Sequence, residues 1–228
     1  MKPIHILPII TASLLASCAT KFTEAQKQSL ATVAVAPGTL AEDAYQEPDG
    51  GDRGAAQAAS MAGVNSGTGA IGGALGAIIG ESIAATQDGL YDAKHRQHYT
   101  RLQEVTPNPA PILSQKLTKN LKDDSFFGPR LKPASPNQFK VEVLNYGLVR
   151  ASKTAEGEIL VTPRVTARFS LVDGAGKTLF NSTNSATGYH HPIELYVQDP
   201  RKLAESYDIA EGAAVQAFII ALSKKTAP

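Results

Sequence analysis

The side chains best suited to metal chemistry in this sequence are its histidines. Four of the five form two close pairs: His95 with His98, and His190 with His191. On a helix, the spacing of the first pair places both imidazoles on one face, and imidazole is a good zinc ligand. A zinc site also needs a third ligand, and no spacing rule supports either Asp92 or Glu104 in that role. The pattern therefore favours solvated surface histidines, and we expect no metal site.

Two glycine motifs resemble nucleotide-binding loops. Residues 67–72 match G-x-G-x-x-G, but a dinucleotide fingerprint requires a strand directly before the first glycine, and residues 58–66 do not favour one. Residues 174–178 match the end of a P-loop, but Leu171 stands where the first glycine is required. The first motif is better explained by close helix packing and the second by a hairpin turn, so we expect no bound cofactor.

The only thiol of the chain indicates a lipid anchor. Residues 4–15 form an apolar run of signal-peptide length, too short to cross a bilayer as a helix. The run ends in a short box: Leu15, Ala16, Ser17 and Cys18. This box resembles the lipobox of bacterial lipoproteins, in which the cysteine is acylated and becomes the first mature residue. The resemblance implies a covalent lipid on Cys18. It also implies the outer membrane, because Ala19 is not the aspartate that favours inner-membrane retention.

Composition excludes several classes of protein. The chain has 228 residues, 22 of them basic and 21 acidic, so it lacks the basic excess expected of a nucleic-acid binder. One cysteine and no tryptophan exclude a disulfide scaffold and a structural zinc site made of cysteines. No G-x-S-x-G motif is present and the one thiol is assigned to the anchor. We therefore predict no catalytic residue and no enzyme.

The chain divides into a signal peptide over 1–17, a lipidated cysteine with a polar tether over 18–31, and one α/β periplasmic domain over 32–228. A short β-branched run ended by Pro37 predicts a strand at 32–36, and alternating apolar residues predict strands at 139–143 and 165–171. After the turn at 173–176, residues 178–189 can return as the paired strand. Helical spacing predicts one helix near 111–121 and another from Asp199 and Pro200 to the C-terminus. We expect an α+β sandwich with a mixed, mostly antiparallel sheet and helices on one face.

A Gly/Ala-rich helical insertion is predicted at 54–86. Small residues recur there on neighbouring rows of a helix: Gly69, Gly72, Gly73, Gly76, Gly80 and Ala84. Each glycine costs about 1 kcal/mol against alanine in a helix, so the seven in residues 63–80 would prevent an isolated helix. The stripe therefore predicts close helix packing or self-association. Insertion into a membrane and an irregular loop remain alternatives.

The order of elements carries a second resemblance. A short strand at 32–37, a helix near 112–121, a hairpin around 169–177 and a C-terminal amphipathic helix follow one another. This order resembles the bacterial lipoproteins with a TolB-amino-terminal-like α/β domain, the superfamily of the curli secretion channel and of penicillin-binding-protein activators. The resemblance covers roughly 32–37 and 109–223, and it implies a periplasmic interaction domain without catalysis.

Two functions fit these features. The first is a non-enzymatic, lipid-anchored envelope lipoprotein that acts as an interaction or scaffold module in envelope assembly or transport. Its partners would be membrane lipid, through Cys18, and an envelope protein, with no nucleic acid. The second is an oligomer or a membrane-inserting, pore-like lipoprotein driven by the glycine stripe, and a periplasmic enzyme is a distant third. The anchor, the tether and the missing catalytic motifs favour the first.

Overall fold

The computed structural model describes residues 21–46, 95–154 and 158–226. The signal peptide, Cys18 and the glycine-rich insertion at 54–86 lie outside the described residues. The helices are α1 (Glu24–Ser29), α2 (95–105), α3 (Pro109–Asp123), α4 (Ile193–Gln198) and α5 (Pro200–Thr226), with a 3-10 turn at Gly128–Arg130. The strands are β1 (Ala34–Val35), β2 (Thr39–Leu40), β3 (Tyr45–Gln46), β4 (Gln138–Lys153), β5 (Ile159–Val172), β6 (Thr178–Thr187) and β7 (His191–Pro192).

The sheet is mixed and mostly antiparallel, which confirms the predicted α/β class. Its main order is β1-β4-β5-β6, with antiparallel pairing between β4 and β5 and between β5 and β6. The short strands β1, β2 and β3 pair in turn along β4, all parallel to it, and β7 pairs antiparallel with the start of β5.

Apolar and polar side chains alternate along β4 and β5, and the apolar ones form the core. Val141 lies opposite Phe169 on the buried face, and their neighbours Glu142 and Arg168 lie opposite one another on the exposed face. Phe218 of α5 stacks on Phe169 with ring centroids 5.0 Å apart, so α5 covers this apolar face. The leucines of α3 at 113, 117 and 121 join the same core.

Local sequence sets the ends of the two long helices. The Asn108 side chain accepts a hydrogen bond from the Ala110 amide at 2.9 Å, and Pro109 occupies the first turn of α3. Asp199 accepts from the Arg201 amide at 3.1 Å where α5 begins. Lys224 and Lys225 lie in the last turn of α5, at its negative end. None of the described helices combines the length and the apolar composition needed to cross a bilayer.

The structure differs from the predicted tether and from a predicted loop. Residues 24–29 are helical, and Phe22 and Leu30 on either side are buried in the core. These two apolar residues lie too far apart to give a periodic signal. The Gly, Pro and Asp residues of 38–53 predict a loop. The strands β2 and β3 lie within this range, and a strand of two residues is too short to show alternation. Gly147 on β4, with a φ of +155°, leaves room for the Gln46 carbonyl of β3.

Candidate functional site: a histidine–glutamate cluster between helices

The first histidine pair meets a carboxylate from a distant part of the chain. His95 and His98 lie one turn apart on α2, and Glu194 lies in the first turn of α4. The His95 Nδ1 is 3.2 Å from the His98 Nδ1 and 3.4 Å from a Glu194 carboxylate oxygen. One ligand atom from each residue lies within 4.8 Å of the other two. We call these three residues the histidine–glutamate cluster.

The cluster combines a buried group with two groups that reach solvent. His95 is 2% exposed, His98 is half-buried, and the Glu194 side chain is 40% exposed. The interpretation of His95 as a solvated surface residue was therefore wrong. Of the third ligands that the sequence offered, Glu104 is exposed and is not part of the cluster, and Asp92 lies outside the described residues. Two imidazoles and a carboxylate in this arrangement can share a proton or hold a metal ion.

Hydrogen bonds to the backbone fix the position of α4. The Tyr196 hydroxyl donates to the Tyr189 carbonyl at 2.6 Å, and the Tyr189 amide donates to the Ser206 hydroxyl at 2.7 Å. Burial raises the pKa of Tyr196 well above its usual range, so this hydroxyl remains a donor at all physiological pH values. Gly188 permits the contact between this loop and α5, because a Cβ at this position would overlap the Ser206 carbonyl.

The second histidine pair lies in the loop that leads into α4. The His191 ring lies 5.5 Å from the Tyr196 ring and 6.1 Å from the Tyr189 ring. Burial lowers the pKa of both His190 and His191, and the positive charge of Lys202 adds to this effect at His191. These effects favour the neutral form of both imidazoles. Within the described residues, this second pair is not part of a group of three or more converging metal ligands.

A second charged contact joins α3 to α5. The Lys116 ammonium donates to the Asp208 carboxylate at 2.6 Å and lies 3.6 Å from the Glu211 carboxylate. Glu211 is almost fully buried, and one of its oxygens has no hydrogen-bond partner in the described residues. Burial raises the pKa of Glu211 to about 7, against the lowering effect of Lys116. We call these three residues the Lys116 joint.

Most of the site residues predicted from sequence lie outside the described residues. They are the cleavage residues Leu15, Ala16 and Ser17, the lipidation site Cys18, and the small-residue stripe of Gly69, Gly72, Gly73, Gly76, Gly80 and Ala84. All of these stay predictions. Glu194, which sequence reasoning missed, carries no local signal, because it is separated from the histidines by about a hundred residues.

No protein-family model matches the chain, and no curated protein matches it. Among solved structures, the chain is similar to a minor lipoprotein from Acinetobacter baumannii, at 18% sequence identity and a TM-score of 0.39. The match covers 52% of this chain and 87% of that protein. A TM-score at this level does not establish a shared fold.

Proposed function

We propose that this chain is a non-enzymatic lipoprotein of the cell envelope, anchored in the outer membrane by an acylated Cys18. Its domain faces the periplasm and acts as an interaction module. The observation that carries the proposal is the burial of Phe22, which lies only four residues after Cys18. The domain is therefore held against the membrane instead of projecting on a long tether.

The segment that begins at Phe22 is fixed to the C-terminal end of α5. Phe22 is 5% exposed, and its amide donates to the Lys225 carbonyl at 2.9 Å. The next residue, Thr23, caps α1 with a reciprocal pair of hydrogen bonds to Gln26. Further along, the Asn137 side chain donates to the backbone carbonyls of Ser29 and Thr32, both at 2.9 Å. These contacts hold residues 22–32 on the core.

The length of the link gives the height of the domain above the lipid. An extended chain spans at most about 3.6 Å per residue, so Phe22 lies within roughly 14 Å of the Cys18 backbone. The C-terminal turn of α5 lies beside Phe22 and so faces the membrane. It carries Lys224 and Lys225, and Lys21 directly precedes Phe22. Lys224 is exposed, and a lysine at this height attracts anionic lipid headgroups by about 1 kcal/mol.

The buried polar groups of the described residues support a structural function. The Ser206 hydroxyl accepts from the Tyr189 amide and also lies 3.2 Å from the Tyr196 hydroxyl, so it is engaged in holding the loop. Such a hydroxyl is not poised as a nucleophile, which would need an adjacent base. A domain of this kind fits a partner in envelope assembly or transport.

A distance measurement tests the proposal. Two full-length variants, Lys224→Cys and Glu205→Cys, would each carry a fluorescent donor, because acylation leaves Cys18 unreactive. The two positions lie about 28 Å apart along α5 at 1.5 Å per residue. In vesicles with acceptor-labelled headgroups, we expect strong energy transfer from position 224 and weak transfer from position 205.

Two control variants distinguish the loss of the lipid anchor from a change in the distance between the domain and the membrane. Cys18→Ala should release a folded, soluble domain and abolish transfer from both positions. A flexible 20-residue insertion after Ala19 should keep the protein on the membrane but weaken transfer from position 224. Equal transfer from 224 and 205 in the uninserted protein would refute the membrane-facing orientation, and a Cys18→Ala protein that stays with the membrane would refute the lipid anchor.

A further inference from the structure

We propose that His95, His98 and Glu194 form a binding site for a divalent transition metal ion of the zinc type, which links α2 to α4. This inference does not depend on the proposed function. It starts from three potential ligand atoms that converge from two helices far apart in sequence. Two are imidazole nitrogens and one is a carboxylate oxygen, a donor set that suits zinc and its neighbours better than magnesium or calcium.

The distances agree with a tetrahedral ion. Zinc lies about 2.0–2.1 Å from imidazole nitrogen and about 2.0–2.2 Å from carboxylate oxygen, so the edges of a regular tetrahedron around it measure roughly 3.3–3.5 Å. The His95 Nδ1 lies 3.2 Å from the His98 Nδ1 and 3.4 Å from the Glu194 oxygen. Both separations are close to the length of such an edge. The third separation, between the ligand atoms of His98 and Glu194, is at most 4.8 Å, so the partly exposed side chains of these two residues would close on the ion by up to about 1.5 Å.

Both imidazoles of the cluster direct their Nδ1 atoms towards the gap between the three side chains. If no ion is bound, a nitrogen–nitrogen contact of 3.2 Å requires a proton on one ring and a lone pair on the other. The Glu194 carboxylate, which is only an acceptor when ionised, adds negative charge to this gap. A divalent cation satisfies all three lone pairs at once, whereas a single proton satisfies the pair of rings alone.

The fold holds the ligands in place and leaves a route for the ion. The two histidines sit one turn apart on the same helix, and α4 is fixed by the hydrogen bonds of Tyr196 and by the pairing of β7 with β5. Preorganised supports of this kind raise the affinity of metal sites. Since the Glu194 side chain is 40% exposed and His98 is half-buried, an ion can enter from solvent and water can complete its coordination.

The test uses the full-length protein in detergent, without a histidine tag and stripped of metal by a chelator. Cobalt(II) is the probe, because tetrahedral cobalt has intense visible absorption bands and octahedral cobalt has weak ones. We expect saturable binding of one cobalt ion per chain with tetrahedral bands, and displacement of the cobalt by added zinc. Failure to saturate, or a weak octahedral spectrum alone, would overturn the proposal.

Matched variants locate the site. His98→Gln and Glu194→Gln each remove one ligand from a partly exposed position, and each should weaken cobalt binding by more than about 100-fold, beyond the usual effect of an outer-shell change. His190→Gln and Glu205→Gln change a histidine and a glutamate outside the cluster and should bind as the parent does. Circular dichroism verifies that each variant is folded. If His98→Gln does not fold, the cobalt affinity of Glu194→Gln alone tests the site. Binding that survives Glu194→Gln, or that is lost in His190→Gln, would place the ion elsewhere.

Discussion

The histidine–glutamate cluster and the Lys116 joint both place a carboxylate between two helices, but they balance its charge in different ways. At the Lys116 joint, α3 supplies an ammonium group, whose nitrogen lies 2.6 Å from Asp208 and 3.6 Å from Glu211 of α5. At the cluster, α2 supplies two imidazole nitrogens to Glu194 of α4. A lysine is a permanent cation at neutral pH, whereas an imidazole is positive only when it binds a proton.

This difference in the source of positive charge determines which of the two sites can accept an external ion. At the Lys116 joint the chain itself supplies a cation, which offsets part of the cost of the buried Glu211 charge, although burial still raises the pKa of this carboxyl. Within the described part of the chain, no lysine or arginine pairs with Glu194, and the ligand atoms of the cluster converge on one gap. The cluster is therefore open to a metal ion, and the Lys116 joint is not. Substitutions at the Lys116 joint test how much the Lys116 ammonium stabilises the buried carboxylate beside it.

The largest effect is expected when the cation is removed from the Lys116 joint. Lys116→Met keeps the aliphatic stem but leaves the buried Glu211 without its positive partner. Breaking a buried pair in this way typically costs 3–5 kcal/mol, so we expect the free energy of unfolding at pH 8 to fall by about 4 kcal/mol. Chemical denaturation measures the change.

The control for this prediction is Lys119→Met on the same helix. Lys119 is exposed, so its loss should change stability by less than about 0.5 kcal/mol. If Lys116→Met is no more harmful than Lys119→Met, Glu211 is solvated or protonated without help from the lysine. The Lys116 joint would then not be a charge-compensated site, and the comparison with the cluster would fail.

The next effect concerns the pH dependence of stability at Glu211. Burial raises its folded-state pKa to about 7 from a usual value of 4.5. The folded protein thus holds the proton more tightly than the unfolded chain, so the stabilisation from this group is full below pH 4.5 and is lost as the pH rises through 7. A shift of this size corresponds to about 3 kcal/mol.

The variant Glu211→Gln removes this titration. Between pH 4.5 and pH 8, the stability of the parent relative to Glu211→Gln should therefore fall by roughly 3 kcal/mol, with the change centred between these two pH values. Denaturation curves for both proteins across this range give the difference. An unchanged difference would mean that the Glu211 carboxyl is ionised equally easily in the folded and unfolded chains, and that its burial is compensated in full by Lys116.

The sheet and the long helices were predictable because their signals are periodic. Phe139, Val141 and Val143 alternate with polar residues on β4, and the leucines of α3 recur every four residues. The strands β1 to β3 have two residues each, so their pairing along β4 depends on a register that no local pattern encodes. Of these three strands, only the run around β1 gave a sequence signal, from its β-branched residues.

The sequence predicts the histidine pair of the candidate site but not its glutamate. His95 and His98 share a helix face because of their spacing, which the sequence reveals. Glu194 reaches them because β7 pairs with β5 and starts α4 beside α2, a consequence of tertiary structure. The burial of His95 is likewise a property of packing. Short-range spacing can thus identify a pair of ligands, while the third ligand and the surroundings need the fold.

The smallest effect is expected at an ion pair on the exposed face of the sheet. Glu142 on β4 lies directly opposite Arg168 on β5, with a separation of 3.1 Å, and the two side chains are 40% and 48% exposed. Solvent screens this pair and both side chains lose rotational freedom, so a double-mutant cycle with Arg168→Gln and Glu142→Gln should give a coupling below about 1 kcal/mol. High salt should reduce the coupling further. The separation of this pair lies between the two distances at the Lys116 joint, 2.6 and 3.6 Å, but both of its side chains are exposed, whereas Glu211 is buried. A coupling as large as the loss expected for Lys116→Met would therefore mean that distance, and not burial, decides what a charge pair contributes in this protein.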